Sequence, residues 1–390
     1  MTESDTVTER RLLADRLAAS GDLRSPEWRA AVEAVPRELF LQHGVFLPDE
    51  AGYWHPVPTL GADPTEWVAL VHTDQSLVTQ LDDRLTVDRT TDPLRGIATS
   101  SSTMPSLVIS MIEALGIEAG HSVLEIGTGS GYSTALLCHR LGEESVTTVE
   151  VDPEVAVRAD AALEKAGYST WTVLGDGLLG HPHRAPYDRI IAACAVRRIP
   201  HTWIRQTAPG GVILATVGSW SYGTGLARVT VTDRGTAEGR IIGQSCFMHA
   251  RSQAPRRHFG DLADRTAYAD TERPARIAPG VLDGWMPSFL AQLAAPGTEH
   301  VTAREADGQE TVHLIDIARE SFAEITWDGG GWLVRQGGPV SLWDAVETAI
   351  AAWQRAGQPP IDAVDLEITA TAHTYRIGDD PALRWEHRVV

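Results

Sequence analysis

Three positions, each at the end of a short run rich in β-branched residues, carry the chemistry that this sequence can do. The first is Glu125-Ile126-Gly127-Thr128-Gly129-Ser130-Gly131, which closes the run from Ser122 to Ile126 and opens a helical stretch. Glycines there let the backbone pass close under a ligand, and a helix start offers N–H groups that have no intrahelical partner. The second is Glu150, within Thr148-Val149-Glu150-Val151-Asp152, where a carboxylate at a strand end can accept both hydroxyls of a ribose. The third is Gly175-Asp176-Gly177, whose acid could reach an adenine amino group. Asp-Gly is also a common turn dipeptide, so the third gains its weight from falling, like the others, at a carboxyl edge. Glu125, Gly127, Thr128, Gly129, Ser130, Gly131, Glu150, Val151, Asp176 and Gly177 are therefore the expected contacts of an adenosine-bearing cofactor.

The glycine spacing narrows the choice of cofactor. A nicotinamide fingerprint reads G-x-G-x-x-G, but here the third glycine comes one residue early and Tyr132 stands where that pattern needs glycine. The spacing is the one seen in S-adenosylmethionine methyltransferases. Other chemistries find no support. A phosphate-binding P-loop needs a Gly-Lys pair, and the only lysine, Lys165, follows Glu164. Ser219-Trp220-Ser221-Tyr222-Gly223 lacks the first glycine of a nucleophile elbow. His181 and His183 flank Pro182 without a carboxylate at ligand spacing, so no metal site is expected.

The elements that must position these residues follow from the pattern between Ser122 and Ala215. Strands are expected at Ser122 to Ile126, Val146 to Glu150, Thr170 to Leu174, Tyr187 to Ala193 and Val212 to Thr216, with helices after Gly131, from Pro153 to about Ala166, and from Trp203 to Thr207. This is the signature of a parallel sheet with crossover helices, an α/β, Rossmann-like fold with helices on both faces. Gly225 to Thr232 and Gly239 to Met248 read as a hairpin turning at Asp233-Arg234-Gly235.

The rest divides by texture. Residues 1–96 read as a lead-in, with two helices between Thr8 and Ala34 and an irregular stretch from Gly44 to Gly96. Residues 97–250 form the expected cofactor domain, 251–280 a charged, Pro-containing linker, and 281–390 a smaller α+β extension. Six of the twelve tryptophans lie in that extension, together with an amphipathic helix from Ser341 to Ala356.

Composition bounds the setting. At 390 residues and 43% hydrophobic content the chain can bury more than one core. The N-terminus lacks a basic region and an apolar region, and no eighteen-residue apolar run occurs, so a cytoplasmic protein that does not span a membrane is expected. Cys138, Cys194 and Cys246 lack paired spacing and read as reduced core residues. A net charge of −19 disfavours a nucleic-acid partner.

Read in order, Val35-Pro36-Arg37-Glu38-Leu39-Phe40, Val123 to Tyr132, Gly175-Asp176-Gly177, Ala185-Pro186-Tyr187-Asp188 and Ala208-Pro209-Gly210-Gly211 resemble the protein L-isoaspartate O-methyltransferase family from about Thr8 to Met248. The resemblance implies a class I methyltransferase fold, S-adenosylmethionine as cofactor with S-adenosylhomocysteine as product, and a peptide or protein substrate bearing an aspartate or isoaspartate. The family places a hydroxyl-bearing Ile-Ser-x-Pro loop against the substrate carboxylate. Here the matching stretch is Ser100-Ser101-Ser102-Thr103-Met104-Pro105, and alignment on Pro105 puts Thr103 where the family has serine, flanked by Ser101 and Ser102. A second reading of Thr103 is a helix cap before Pro105.

The extension beyond Gly280 exceeds a simple repair enzyme and resembles the longer actinobacterial branch that accompanies ATP-grasp ligases in making ester-crosslinked ribosomal peptides (graspetides). That branch implies methylation of an aspartate followed by closure to an aspartimide. Two alternatives stand beside it: a broad-range isoaspartyl repair enzyme, and a catalytically silent scaffold that binds a peptide. A carboxylate is ionised at neutral pH, so methyl transfer needs no general base and the protein's task is placement.

Overall fold

The computed structural model describes residues 3–59, 63–233, 235–254, 268–304 and 308–389. The chain forms two compact units, one of Met1–Cys194 with Thr202–Leu214, the other of Ala195–His201 with Ala215–Val390.

The first unit opens with helices α1 (Glu3–Ser20) and α2 (Pro26–Ala34). Pro26 starts α2, but Ser25 does not cap it; its hydroxyl donates to Glu113 Oε2 at 2.6 Å. The stretch expected to be irregular is ordered. It holds β1 (Val45–Pro48), β2 (Trp54–Val57), helix α3 (Pro64–Val71) and β3 (Leu77–Leu81), and with β4 (Ala98–Ser102) the strands form an antiparallel sheet in the order β2-β1-β3-β4. The reason is visible in β1. Val45 packs into a cluster with Leu41, Trp67, Val68, Val71 and Leu77, while its neighbour Phe46 packs into another with Val78, Leu81 and Val87. A short strand with apolar contacts on both faces shows no polar alternation, so its period is hidden. Ser100 to Ser102, expected as loop, belong to β4 and pair with β3 (Leu77↔Ser102, Val78↔Ser101, Gln80↔Ser100).

Helix α4 (Pro105–Leu115) then leads into β5 (Val123–Ile126), α5 (Tyr132–Leu141), β6 (Val146–Glu150), α6 (Pro153–Lys165), β7 (Trp171–Leu174), β8 (Tyr187–Val196), α7 (His201–Gln206) and β9 (Thr207–Val217). The strands lie in the order β9-β8-β5-β6-β7, with β5 parallel to β6 and β8, and β6 parallel to β7. Every residue of β5 and β6 is buried, as parallel strands covered on both faces require. β8 runs three residues past the expected Ala193, and β9 begins five residues before Val212, taking in Ala208-Pro209-Gly210-Gly211.

The second unit contains the hairpin β10 (Gly225–Asp233) and β11 (Thr236–Gln244); Arg234 of its turn lies outside the described residues. The 255–267 part of the stretch read as a linker also lies outside them, and the following residues form β12 (Thr271–Pro274). Helix α8 (Trp285–Ala294), strands β13 (Glu299–Arg304), β14 (Glu310–Asp316), β15 (Ser321–Trp327) and β16 (Trp332–Gly337), helix α9 (Leu342–Arg355), and strands β17 (Val364–Ile368), β18 (Ala372–Ile377) and β19 (Arg384–Arg388) complete it. One sheet runs β12-β16-β15-β14-β13, and β19-β18-β17-β11-β10 forms a second run. Trp220, Leu314, Ile325, Val334, Trp343 and Ile350 meet in its core. Tryptophan thus serves packing at Trp343, which is fully buried. Of the three cysteines, Cys138 is buried, Cys194 half-buried, and Cys246 is exposed rather than in the core. Among the described residues no helix is long and apolar enough to cross a membrane.

Candidate active site

The glycine turn joins the end of β5 to the start of α5, as its residues require. Gly127, Gly129 and Gly131 have φ of +89°, +56° and +90°, the left-handed region that side chains avoid. Gly129 has a second reason. A Cβ there would stand 3.4 Å from the carbonyl oxygen of Ser101, so the turn lies directly against β4.

The turn is anchored from within the fold by Glu125. Its carboxylate is buried and accepts hydrogen bonds from Ser133 Oγ at 2.6 Å, Thr148 Oγ1 at 2.9 Å and Thr134 Oγ1. Burial pushes its pKa up against the pull of those three hydroxyls. Thr128 is also turned inward, its hydroxyl 2.7 Å from that of Thr148. Glu125 and Thr128 therefore shape the turn and do not point out of it. Ser130 and Gly129 border a cavity of about 160 Å³ that is also lined by Ser100, Phe40, Val155 and Ala159.

Glu150, the last residue of β6, is drawn to the turn. Its Oε2 accepts from Gly129 N at 3.0 Å, and its Oε1 from Val151 N at 2.9 Å and Asp152 N at 3.0 Å. Oε2, which accepts one N–H, retains acceptor capacity for a hydroxyl, while Oε1 is filled by its two. Val151 beside it and Leu179 after the third strand are apolar yet 43% and 63% exposed, suited to the faces of a flat base. Asp176 accepts from Leu178 N at 2.9 Å through Oδ1. Gly177 has a packing role: a Cβ there would lie 2.4 Å from Ile126 Cγ2, so only glycine lets this segment close on the end of β5. The glycine cradle, the acid at the end of β6 and the exposed apolar pair fit an adenosyl cofactor.

The hydroxyl segment divides in two. Ser102 is buried, and its Oγ accepts from Arg37 Nη2 at 3.4 Å. Ser101 meets the turn through its backbone. Thr103 is half-buried at the end of β4, and its carbonyl accepts from Arg37 Nη2 at 3.2 Å. Thr103 is not the cap of α4. Met104 occupies the cap position, and Asp74 Oδ1 takes the free N–H of Ser106 at 2.8 Å. Several residues that organise the site were not singled out from the sequence: Arg37, the hydroxyls on Glu125, and Gln80, whose amide donates to Asp152 Oδ2 at 3.0 Å. Arg37 and Gln80 find their partners far along the chain, and Ser133 and Thr134 reach back across the turn to Glu125; no local pattern announces such pairs.

Residues 84–254 match the family model described as Protein-L-isoaspartate(D-aspartate) O-methyltransferase (PCMT). A Protein-L-isoaspartate O-methyltransferase of Ignicoccus hospitalis is 33% identical over 211 residues, spanning 54% of this chain and 82% of that protein. The chain belongs to the protein-L-isoaspartate O-methyltransferase family. Another member, of Thermococcus onnurineus, is 32% identical over 236 residues, 60% of this chain and 89% of the relative. The parallel sheet with its glycine turn is accordingly a class I methyltransferase fold, and the chain is an S-adenosylmethionine-dependent protein carboxyl O-methyltransferase. A solved structure titled protein-L-isoaspartate O-methyltransferase resembles it with a TM-score of 0.54 at 20% identity, covering 98% of this chain and 100% of that one. The likeness is one of fold, and it takes in the tail that had read as exceeding a simple repair enzyme.

Proposed function

We propose that this methyltransferase esterifies an aspartate side-chain carboxylate of a ribosomally made, ester-crosslinked peptide, the product of an ATP-grasp ligase, in the cytoplasm. Gly127, Gly129, Ser130, Gly131, Glu150, Val151, Asp176 and Gly177 hold the cofactor, with Glu125 and Thr128 setting the turn, and Thr103, aided by Ser101 and Ser102, orients the acceptor. The observation that carries the reading is the approach of Ser101 to Gly129, which supports a hydroxyl segment working beside the cofactor turn. Threonine in place of the family's serine and the run of serines before it support a substrate other than the family's usual one.

The bound cofactor supplies a methyl group on a sulfonium, already activated for displacement. The chain's residues bind and orient. A carboxylate acceptor arrives ionised and needs no base, so Thr103 contributes a hydrogen bond that fixes one oxygen and leaves the other to react. The ester formed is a better electrophile than the carboxylate. The next backbone nitrogen attacks the ester carbon, the C–N bond forms, the C–O bond to methoxide breaks, and the amide proton leaves with it as methanol. A five-membered imide results.

A second reading, broad repair of isoaspartyl proteins, is compatible with membership of the family. Mass spectrometry separates the two. The proposal expects a methyl gain and then methanol loss on a crosslinked peptide, with unrelated isoaspartyl peptides turned over slowly. Equal turnover of unrelated isoaspartyl peptides would establish repair, and failure to bind S-adenosylhomocysteine would leave a silent scaffold.

A further inference from the structure

We propose that Arg37 is a positioning residue of the methyl-transfer site, holding the Ser102–Thr103 corner in place by a two-sided clamp. The inference rests on Thr103 being the acceptor-orienting residue. Arg37 is fully buried, in a 3-10 turn at Arg37–Leu41. One side of its guanidinium is fixed to the segment after α3: Nη1 donates to Val71 O at 2.8 Å and Thr73 O at 2.9 Å. The other side reaches the substrate corner, where Nη2 donates to Thr103 O at 3.2 Å and Ser102 Oγ at 3.4 Å, while also donating to Gln75 O at 3.3 Å on the segment after α3. Its plane lies over the Tyr132 ring, 5.6 Å from the centroid, at the first residue of α5. One rigid group thus ties together the corner that carries Thr103, the α3 segment and the helix that the glycine turn opens.

The partners are unusual for a buried cation. Among the described residues no carboxylate lies within ion-pair distance of Arg37, and carbonyl dipoles take that place. Asp74 acts on Arg37 only from beyond ion-pair distance; burying an arginine without a direct ion pair is a poor way to gain stability, and an apolar side chain would fill the space at lower cost. What arginine provides is geometry: a planar fork whose donors face two directions at once. Lysine keeps the charge but cannot span both sides.

The test uses the full chain and four variants: Arg37→Lys, Ser102→Ala, Thr103→Ala and the double Arg37→Lys/Thr103→Ala. For each, kcat and KM on an isoaspartyl peptide and the Kd for S-adenosylhomocysteine are measured. A misplaced orienting group costs on the order of 10- to 100-fold in rate. Arg37→Lys should lose kcat in that range with KM and Kd within about threefold, and in the double variant it should add little to the loss from Thr103→Ala. Fully multiplicative losses, or wild-type kcat in folded Arg37→Lys, would overturn the proposal. So would a Kd that rises in step with the loss of kcat, the mark of a merely structural role. If Arg37→Lys does not fold, Ser102→Ala decides: loss of one clamp acceptor should lower kcat several-fold at unchanged Kd, and unchanged kcat would count against the clamp. Failure of the underlying reading is seen separately, as full turnover by Thr103→Ala.

Discussion

Thr103 and Asp176 are the two side chains whose removal should separate the halves of the reaction. Thr103 sits beyond β4 and caps nothing, so its loss leaves the helix start with Asp74 intact. Thr103→Ala should lower kcat about 10- to 100-fold while the calorimetric Kd for S-adenosylhomocysteine stays within about threefold. Asp176 is exposed and accepts one backbone N–H, so Asp176→Ala should weaken S-adenosylhomocysteine binding by about tenfold through loss of one charged acceptor. Equal losses of cofactor affinity in both variants would remove the division of labour between them.

At the scale of elements, Gly177 joins two of them. A methyl group there would meet Ile126 Cγ2 on a buried strand, and a branched side chain has little room to give. Gly177→Ala should destabilise the fold by about 1–3 kcal/mol, seen as a lower midpoint in thermal melting. An unchanged midpoint would mean that the segment after β7 rides free of β5. The elements around this contact are those the sequence made legible. Runs rich in β-branched residues mark β5 and β6, buried on both faces, and the partly exposed edge strand β7, and all three fall within a residue of expectation. The β1–β4 sheet escaped because both its faces are apolar at β1 and its polar face at β4 is made of serines, which read as loop. The three acids and the glycines could be recognised because each sits at a strand end. The direction in which Glu125, Thr128 and Ser102 face could not, because it depends on hydroxyl and guanidinium partners such as Ser133 and Arg37 that no spacing rule connects.

For the molecule as a whole, the second unit carries a pH dependence. His373 is 1% exposed and burial holds its pKa down to about 3, with Arg198 and His387 adding to the effect. His249, His300, His313 and His387 are lowered by burial as well. An unfolded histidine takes a proton near pH 6.5, while the folded His373 resists it until about pH 3. Between those values the unfolded state binds more protons, so stability falls as pH drops below about 6.5. Melting midpoints should decline from pH 7.5 to pH 5, and His373→Leu should flatten that slope; a midpoint independent of pH would contradict the burial of these rings.

The account rests on methyl transfer to a carboxylate oxygen beside Thr103. The direct measurement is tandem mass spectrometry of an aspartyl or isoaspartyl peptide after incubation with the full chain and S-adenosylmethionine, run beside Thr103→Ala. A single methyl ester on the carboxylate, strongly reduced in the variant, is the predicted result. Cofactor bound but no ester formed, or a methyl group found on nitrogen or sulfur, would contradict it.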